Sequence, residues 1–94
     1  MKAAADKLSL TLRAVADPTR RKILRLLRSA PGAKGLSASQ VEQRIKLAQP
    51  TVSHHMKILK QAGLVETSKV GTWVYYERNE AALRRMRTSL TEEI

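Results

Sequence analysis

The chain has 94 residues, which suits one small domain, and 43% of them are hydrophobic, which excludes a disordered chain. It has no cysteine, which excludes disulfides, thiolate metal sites, iron–sulfur clusters and thiol catalysis. The formal net charge of +10, from 18 Lys and Arg against 8 Asp and Glu, favours a polyanionic partner, nucleic acid before a membrane surface.

The first predicted helix covers residues 6 to 16 and is amphipathic. Leu8, Leu12 and Val15 recur at i, i+4 and i+7, which is the spacing of one helical face. Asp6 stands just before this stripe, where its carboxylate can accept a hydrogen bond from a free backbone amide. We therefore expect an N-capped helix with one apolar face.

A second helix is predicted in the segment "DPTRRKILRLLRSAPG". Asp17 can cap it, and Pro18 suits its first position because the missing amide hydrogen would be unpaired there anyway. Arg20 to Lys22 are basic residues near the positive end of the helix dipole, so we expect Arg20 to pair with Asp17 or another carboxylate. Solvation is the default role for this basic run, and phosphate contact is the alternative. Residues 29–35 predict a loop, and the apolar stripe before them comprises Ile23, Leu24, Leu26 and Leu27.

Clear signals mark the start of a third helix after Leu36. Ser37 and Gln40 have the spacing of a capping box, in which each side chain bonds to the other residue's backbone amide. Leu36 and Val41 can add the hydrophobic staple that flanks such a cap. Val41 and Ile45 are expected to face inward, and the short turn "KLA" follows.

The segment "QPTVSHHMKILKQAGLV" contains a fourth helix, predicted from Pro50 to Ala62 with Gly63 just past its end. At about 100° per residue, His55 falls on the apolar face and His54 on the polar face. Adjacent helical residues do not face each other, so the two histidines are not expected to share a metal ion. We interpret His55 as a packed core residue, and His54 as a solvated residue or a nucleic-acid contact. The apolar face comprises Val52, His55, Met56, Leu59 and Ala62, and the polar face comprises Ser53, His54, Lys57, Lys60 and Gln61.

The sequence changes period after Gly63. "LVETSKVGTWVYYER" is rich in strand-forming residues, and the glycine in "VGT" indicates the tip of a β-hairpin. From Asn79, a plausible cap, the helical spacing returns with Leu83, Met86 and Leu90. A helix-turn-helix followed by a hairpin defines a winged helix-turn-helix. The predicted fold is mainly α with a small β-hairpin (α+β), in the order α-α-α-α-β-β-α, as one domain over residues 1–94.

Three segments, "VADPTRRKILRLL", "QPTVSHHMKILKQAGLV" and "GTWVYYE", resemble in order and spacing the ArsR/SmtB-type bacterial transcriptional repressors. The resemblance runs from about Leu12 to Glu77. It implies a homodimer that is assembled through its first and last helices and places its recognition helices in the major groove of double-stranded DNA. Many members of that family release DNA when a metal binds.

The resemblance does not extend to the metal sites. Metal-sensing members carry cysteines, or a carboxylate and histidine set on the last helix, and this chain has Glu80, Glu92 and Glu93 there but no histidine. We therefore expect a repressor with no metal site and no cofactor, and the sequence does not identify an inducer. The alternatives are a metal- or ligand-responsive repressor with an unrecognised site and a non-specific architectural protein.

The DNA contacts are expected on the polar face of the fourth helix and at the hairpin tip. The N-terminal residues of a recognition helix meet base edges, where a Gln amide can pair with adenine and hydroxyls can bond several bases. Helix capping is the alternative role for Gln49 and Thr51, and a solvated turn is the alternative for the tip. The expected DNA-binding residues are Gln49, Thr51, Ser53, His54, Lys57, Lys69 and Thr72.

The remaining apolar residues leave two choices open. The terminal helices either cover the core of a monomer or form a two-fold interface, and the resemblance favours an interface of Leu8, Leu12, Leu83, Met86 and Leu90. The hairpin aromatics either stack on single-stranded nucleic acid or, as we expect, pack the hairpin on the helices. These aromatics are Trp73, Tyr75 and Tyr76.

Three rival classes are weaker. An enzyme is not expected, because no nucleophile, base and orienting group can be named together. An RNA-binding protein would also be strongly basic, so the net charge alone does not separate it from a DNA-binding protein. A protein-interaction module would not need a net charge of +10. No apolar run approaches the roughly 18 residues of a membrane span, and no signal peptide is evident, so we expect a cytoplasmic, nucleoid-associated protein with no membrane partner.

Overall fold

The computed structural model describes residues 6–28 and 35–94. In that part of the chain the helices are α1 (Lys7–Ala16), α2 (Pro18–Arg28), α3 (Ala38–Ile45), α4 (Gln49–Gln61) and α5 (Glu80–Glu93), and the strands are β1 (Leu36–Ser37), β2 (Val65–Val70) and β3 (Trp73–Arg78). The predicted winged helix-turn-helix is confirmed, with α3 and α4 as the helix-turn-helix and β2 and β3 as the wing. The predicted loop of residues 29–35 lies outside the described residues except for Gly35.

Side-chain caps start four of these helices at the predicted positions. Asp6, Asp17 and Asn79 each accept a hydrogen bond from the backbone amide three residues further on, at 2.7, 3.0 and 3.0 Å. Ser37 Oγ accepts from the Gln40 amide at 3.2 Å, and the Gln40 side chain accepts from the Ser37 amide at 2.9 Å, which completes the capping box. Each such cap contributes about 1 kcal/mol, so short local motifs fix where these helices begin.

Strand β1 is an element that the sequence did not predict. Leu36 and Ser37 pair antiparallel with Tyr76 and Tyr75 of β3, which gives a three-stranded sheet of order β1-β3-β2. Two residues are too few for an alternating pattern, and their partners lie far along the chain. Gly35 precedes them with a φ of 74°, and a Cβ there would overlap the carbonyl oxygen of Tyr76. The close approach fixes the start of α3 against the wing.

The hydrophobic core lies between the helices and the inner face of the sheet. Ile23, Leu24 and Leu27 of α2 are buried as predicted, and Leu26 is half-buried at the edge. Removing such side chains from water stabilises the fold by about 1.5–3 kcal/mol each. No described helix is both long and apolar enough to cross a membrane. The other buried apolar residues are Ala14, Leu36, Val41, Ile45, Val52, Met56, Leu59, Leu64, Val65, Ala82 and Leu83.

The wing is a tight antiparallel hairpin, paired from Val65 with Arg78 to Val70 with Trp73. Gly71 has a φ of 62° and occupies the first central position of the turn, where a type II′ turn requires glycine. Because side chains alternate along a strand, Tyr76 points inward and packs against the core, as predicted. Trp73 is the first residue of β3, beside the tip, and its side chain lies on the opposite face of the strand from Tyr76. It is 60% exposed, so its predicted packing on the helices is wrong.

Candidate nucleic-acid interface

Helix α4 has one buried face and one exposed polar face, as its sequence predicted. Val52, Met56 and Leu59 are at most 2% exposed and anchor the helix in the core. Ser53 and His54 point away from them and are exposed. The exposed set on this helix includes all five residues expected to contact DNA, which are Gln49, Thr51, Ser53, His54 and Lys57.

The predicted contact residues at the start of α4 do not cap the helix. The helix begins at Gln49 rather than Pro50, and its N-cap is Ala48, which makes no side-chain cap hydrogen bond. Capping by Gln49 and Thr51, the alternative role, is therefore wrong, because both lie inside the first turn. The Gln49 amide nitrogen donates to Ser53 Oγ at 3.4 Å, so these two side chains form one polar surface.

The two histidines diverge, but His55 is not simply a core residue. Its side chain is 13% exposed, and its Nδ1 lies 3.3 Å from a guanidinium nitrogen of Arg20 and 4.0 Å from a carboxylate oxygen of Asp17. Because arginine can only donate, a hydrogen bond in this contact runs from the Arg20 guanidinium to Nδ1. His55 thus joins the recognition helix to the start of α2, while His54 faces solvent. The described residues hold no group of three His, Asp or Glu side chains that could bind a metal ion.

The basic run at the start of α2 is bound to the end of α1. Arg20 donates from Nε to the Ala14 carbonyl at 2.7 Å and from Nη2 to the Arg13 carbonyl at 3.1 Å. Arg21 donates to the next two carbonyls, of residues 15 and 16, at 2.7 and 2.9 Å. Cations at the C-terminal carbonyls of α1 are favourable for its dipole, which offsets their unfavourable place near the start of α2. The predicted solvation holds for Arg21, which stays exposed while it makes these bonds, and is wrong for Arg20, which is half-buried.

The N-cap of α2 is electrostatically coupled to this cluster. The hydrogen bond from the Arg20 amide, together with the positive charge of the Arg20 guanidinium, lowers the pKa of Asp17 from its ordinary value of 3.8. Arg20 thus meets Asp17 through its backbone amide, while its guanidinium reaches α1 and α4. These contacts connect α1, α2 and α4 through Asp17, Arg20 and His55.

A second arginine fixes the far end of the wing. Arg78 donates from Nε and Nη2 to the two carboxylate oxygens of Glu80, at 2.8 and 3.0 Å, and from Nη1 to the Leu24 carbonyl at 3.2 Å. The hydrogen bonds from Arg78 lower the pKa of Glu80 from its ordinary value of 4.5. One side chain therefore connects β3 to both α2 and α5 and sets the direction of the hairpin.

The wing tip carries the two polar residues that the sequence selected. Lys69 and Thr72 are both exposed and flank Gly71 at the turn.

The groove beside the tip was not predicted. It has a volume of about 280 Å³ and lies between the outer face of the wing and α3, and its lining residues are Ser37, Ser39, Gln40, Gln43, Trp73 and Tyr75. Only the short-range polar pattern of α3 hinted at it, since Ser39 and Gln43 are four residues apart on one exposed face.

Helices α1 and α5 pack against each other. Leu8, Leu12, Met86 and Leu90 are half-buried, so each keeps apolar surface that a partner can cover. Leu83 differs, because it is only 4% exposed and belongs to the core of the single chain. The structure thus brings four of the five expected interface residues to the surface and removes Leu83 from it.

Comparisons with known proteins agree with this architecture. A family described as "Helix-turn-helix domain" matches residues 15–68. The chain is 36% identical over 72 residues to the transcriptional repressor SdpR of Bacillus subtilis, which covers 77% of this chain and 76% of the repressor. It is 41% identical over 71 residues to the uncharacterized HTH-type transcriptional regulator MJ1325 of Methanocaldococcus jannaschii, which covers 76% of each chain. The structure of an ArsR-like transcriptional regulator from Rhodococcus sp. RHA1 superimposes with a TM-score of 0.78 at 30% identity, over 92% of this chain and 77% of that one.

Proposed function

The chain belongs to the ArsR-type family of winged helix-turn-helix transcriptional regulators, and on this premise we propose that it is a homodimeric repressor that binds a palindromic operator in double-stranded DNA. The exposed polar face of α4 is the observation that carries the proposal. Val52, Met56 and Leu59 fix the opposite face in the core, so the polar side chains are held on a rigid helix. That is the arrangement that reading base edges requires.

The recognition residues divide by the part of DNA that they contact. Gln49, Thr51, Ser53 and His54 lie in the N-terminal half of α4 and offer amide, hydroxyl and imidazole groups to base edges in the major groove. The cationic and tip residues meet the backbone, where positive charge replaces condensed counterions. These backbone contacts are assigned to Lys57, Lys69 and Thr72.

Dimerisation through α1 and α5 supports this mode of binding. Leu8, Leu12, Met86 and Leu90 retain exposed apolar surface in the single chain, and a second copy can cover it by two-fold symmetry. Such a dimer presents two recognition helices about one helical turn of DNA apart, roughly 34 Å. Repression then follows from occupying the operator, and the regulator SdpR, which is a transcriptional repressor, supports this sense of control.

Selection from random duplex DNA, followed by binding measurements on the recovered site, tests the proposal. We expect a palindromic motif, and we expect Ser53→Ala with His54→Ala to weaken binding about tenfold or more, because each good base contact contributes about 1–3 kcal/mol. The control is Thr88→Ala on α5, an exposed polar residue outside the recognition helix, the wing and the expected dimer interface. Absence of an enriched motif, or equal affinities for the double variant and the control, would contradict sequence-specific recognition through α4.

A further inference from the structure

The outer face of the wing exposes an aromatic residue that the fold itself does not cover. Trp73 is 60% exposed and Val70, its direct cross-strand neighbour, is 43% exposed. Tyr75 lies two residues along on the same face and is half-buried. Large apolar side chains in contact with water lose the stabilisation of burial, and a group of them beside polar residues marks an interaction surface.

This surface forms one wall of the groove between the wing and α3. The aromatic wall consists of Trp73 and Tyr75, and the opposite wall carries the hydroxyl of Ser39 and the amides of Gln40 and Gln43. The carbonyl oxygen of the Gln40 side chain accepts a hydrogen bond from the Ser37 amide, which leaves its NH₂ group as the outward donor. No acidic residue lines the groove among the residues that the structure describes. The groove therefore combines a flat apolar face with hydrogen-bond donors and lacks the charge that would repel a phosphate.

We propose that this groove receives the sugar–phosphate backbone of one strand of duplex DNA, with deoxyribose packed on Trp73 and phosphate oxygens bonded by Ser39 and Gln43. The inference rests on the proposed function and adds a second backbone-binding site to it. In a helix-turn-helix the first helix crosses the DNA backbone while the second enters the groove, and α3 is that first helix. Trp73 and α3 are held together by the β1–β3 pairing, so the two walls form one preorganised clamp.

The charge of the surroundings favours DNA over another occupant. Lys69 and Thr72 lie at the tip of the same hairpin, and the chain as a whole carries a net charge of +10. A stretch of single-stranded nucleic acid would need its bases to stack on the aromatics, whereas a duplex presents its sugars and phosphates outward. A duplex contacting the exposed face of α4 already brings a backbone strand to the neighbouring helix of the motif.

Intrinsic fluorescence gives a direct test, because Trp73 is the only tryptophan in the chain. The duplex recovered by selection is added without a label, and saturation is established separately from the anisotropy of a labelled copy. We expect the Trp73 emission to shift to shorter wavelength and to become less accessible to acrylamide at saturation. We also expect Trp73→Ala to weaken binding about tenfold and Trp73→Phe to weaken it less, since the phenyl ring keeps part of the apolar contact.

Each other outcome of this experiment overturns the inference. Saturation by anisotropy with an unchanged emission means that DNA binds elsewhere, and the proposed function then stands without this site. An emission shift that follows protein concentration in the absence of DNA means that a second copy covers Trp73. A shift with single-stranded but not duplex DNA assigns the aromatics to stacking on bases. Failure of anisotropy to change overturns both the inference and the proposed function.

Charge substitutions at Gln43 test the phosphate itself. Gln43 is exposed, and Gln, Lys and Glu have similar helix propensities, so Gln43→Lys and Gln43→Glu should both fold. We expect the lysine variant to bind the duplex more tightly, with a salt slope steeper by about 0.9 for each added phosphate contact, and the glutamate variant to bind more weakly. Thr88→Lys and Thr88→Glu make the same changes in net charge at an exposed position of α5, outside the recognition helix and the wing. If the Gln43 pair and the Thr88 pair change affinity equally, no phosphate lies in the groove.

Discussion

At the scale of single residues, Asp17 and Arg20 connect the recognition helix to the two helices that open the chain. The Arg20 guanidinium contacts two carbonyls of α1 and the ring of His55 on α4, and its backbone amide bonds to Asp17. Arginine supplies several donors in a fixed planar arrangement, which a lysine cannot match. A pair of residues that looked from the sequence like a simple cap therefore connects α1, α2 and α4.

Acid stability is the prediction that belongs to this scale. The pKa of Asp17 is lowered in the folded chain, chiefly by the Arg20 amide and also by the Arg20 charge, and the unfolded chain binds the proton more readily. The ionised Asp17 carboxylate therefore stabilises the folded chain. Its contribution to the free energy of unfolding is full above roughly pH 5 and is lost as the pH falls through the lowered pKa. We expect the free energy of unfolding, measured with urea at fixed protein concentration, to decline below pH 3.8.

The matched variant for this measurement is Asp17→Asn, which keeps an N-cap oxygen but does not titrate. Its acid decline should be shallower than that of the wild type. Parallel declines in the two proteins would assign the acid sensitivity to other carboxylates, such as Asp6 and Glu80, whose pKa values are also lowered by hydrogen bonds to Ser9 and Arg78.

At the scale of elements, two glycines with similar φ angles have different structural roles. Gly63 ends α4 with a φ of 78° and has open space around its missing side chain, whereas Gly35 leads into β1 with a φ of 74° against the backbone of Tyr76. The first is needed only for its backbone conformation. The second is needed for that conformation and also for the contact that joins β1 to β3.

We predict that this difference appears in stability. Gly63→Ala should cost about 1–2 kcal/mol, the usual penalty for a left-handed residue with a Cβ. Gly35→Ala should exceed it by about 2 kcal/mol or more, because backbone atoms cannot move aside as flexible side chains do. Urea denaturation of the two variants at one concentration measures both losses, and equal losses would mean that the β1–β3 contact tolerates a side chain.

At the scale of the whole molecule, charge and symmetry determine the binding behaviour. A dimer doubles the lysines available at the major groove and at the wing tips, and its net charge attracts DNA before any base is read. With about 6 to 10 phosphate contacts per dimer, affinity for the selected duplex should fall about 10³- to 10⁵-fold between 50 and 200 mM salt. Anisotropy titrations across this range give the slope, and a flat response would exclude backbone contacts as the main source of affinity.

The sequence by itself determined the order of the main elements, their caps and the direction in which α4 faces. These features depend on neighbours within a turn or two, such as the Ser37–Gln40 box, and local chemistry decides them wherever the chain goes. The sequence therefore identified the polar face of the recognition helix and the tip of the wing before any contact was known.

Only the tertiary structure decided where the remaining side chains ended. The pairing of β1, the exposure of Trp73, the burial of Leu83 and the reach of Arg20 to α1 and α4 all depend on residues that are distant in sequence. An apolar or basic residue in a periodic pattern has several surfaces available to it, and packing selects among them because only one arrangement fills the core and pairs the polar groups. The groove beside the wing is the clearest case, since its two walls come from α3 and β3 and meet only in the folded chain.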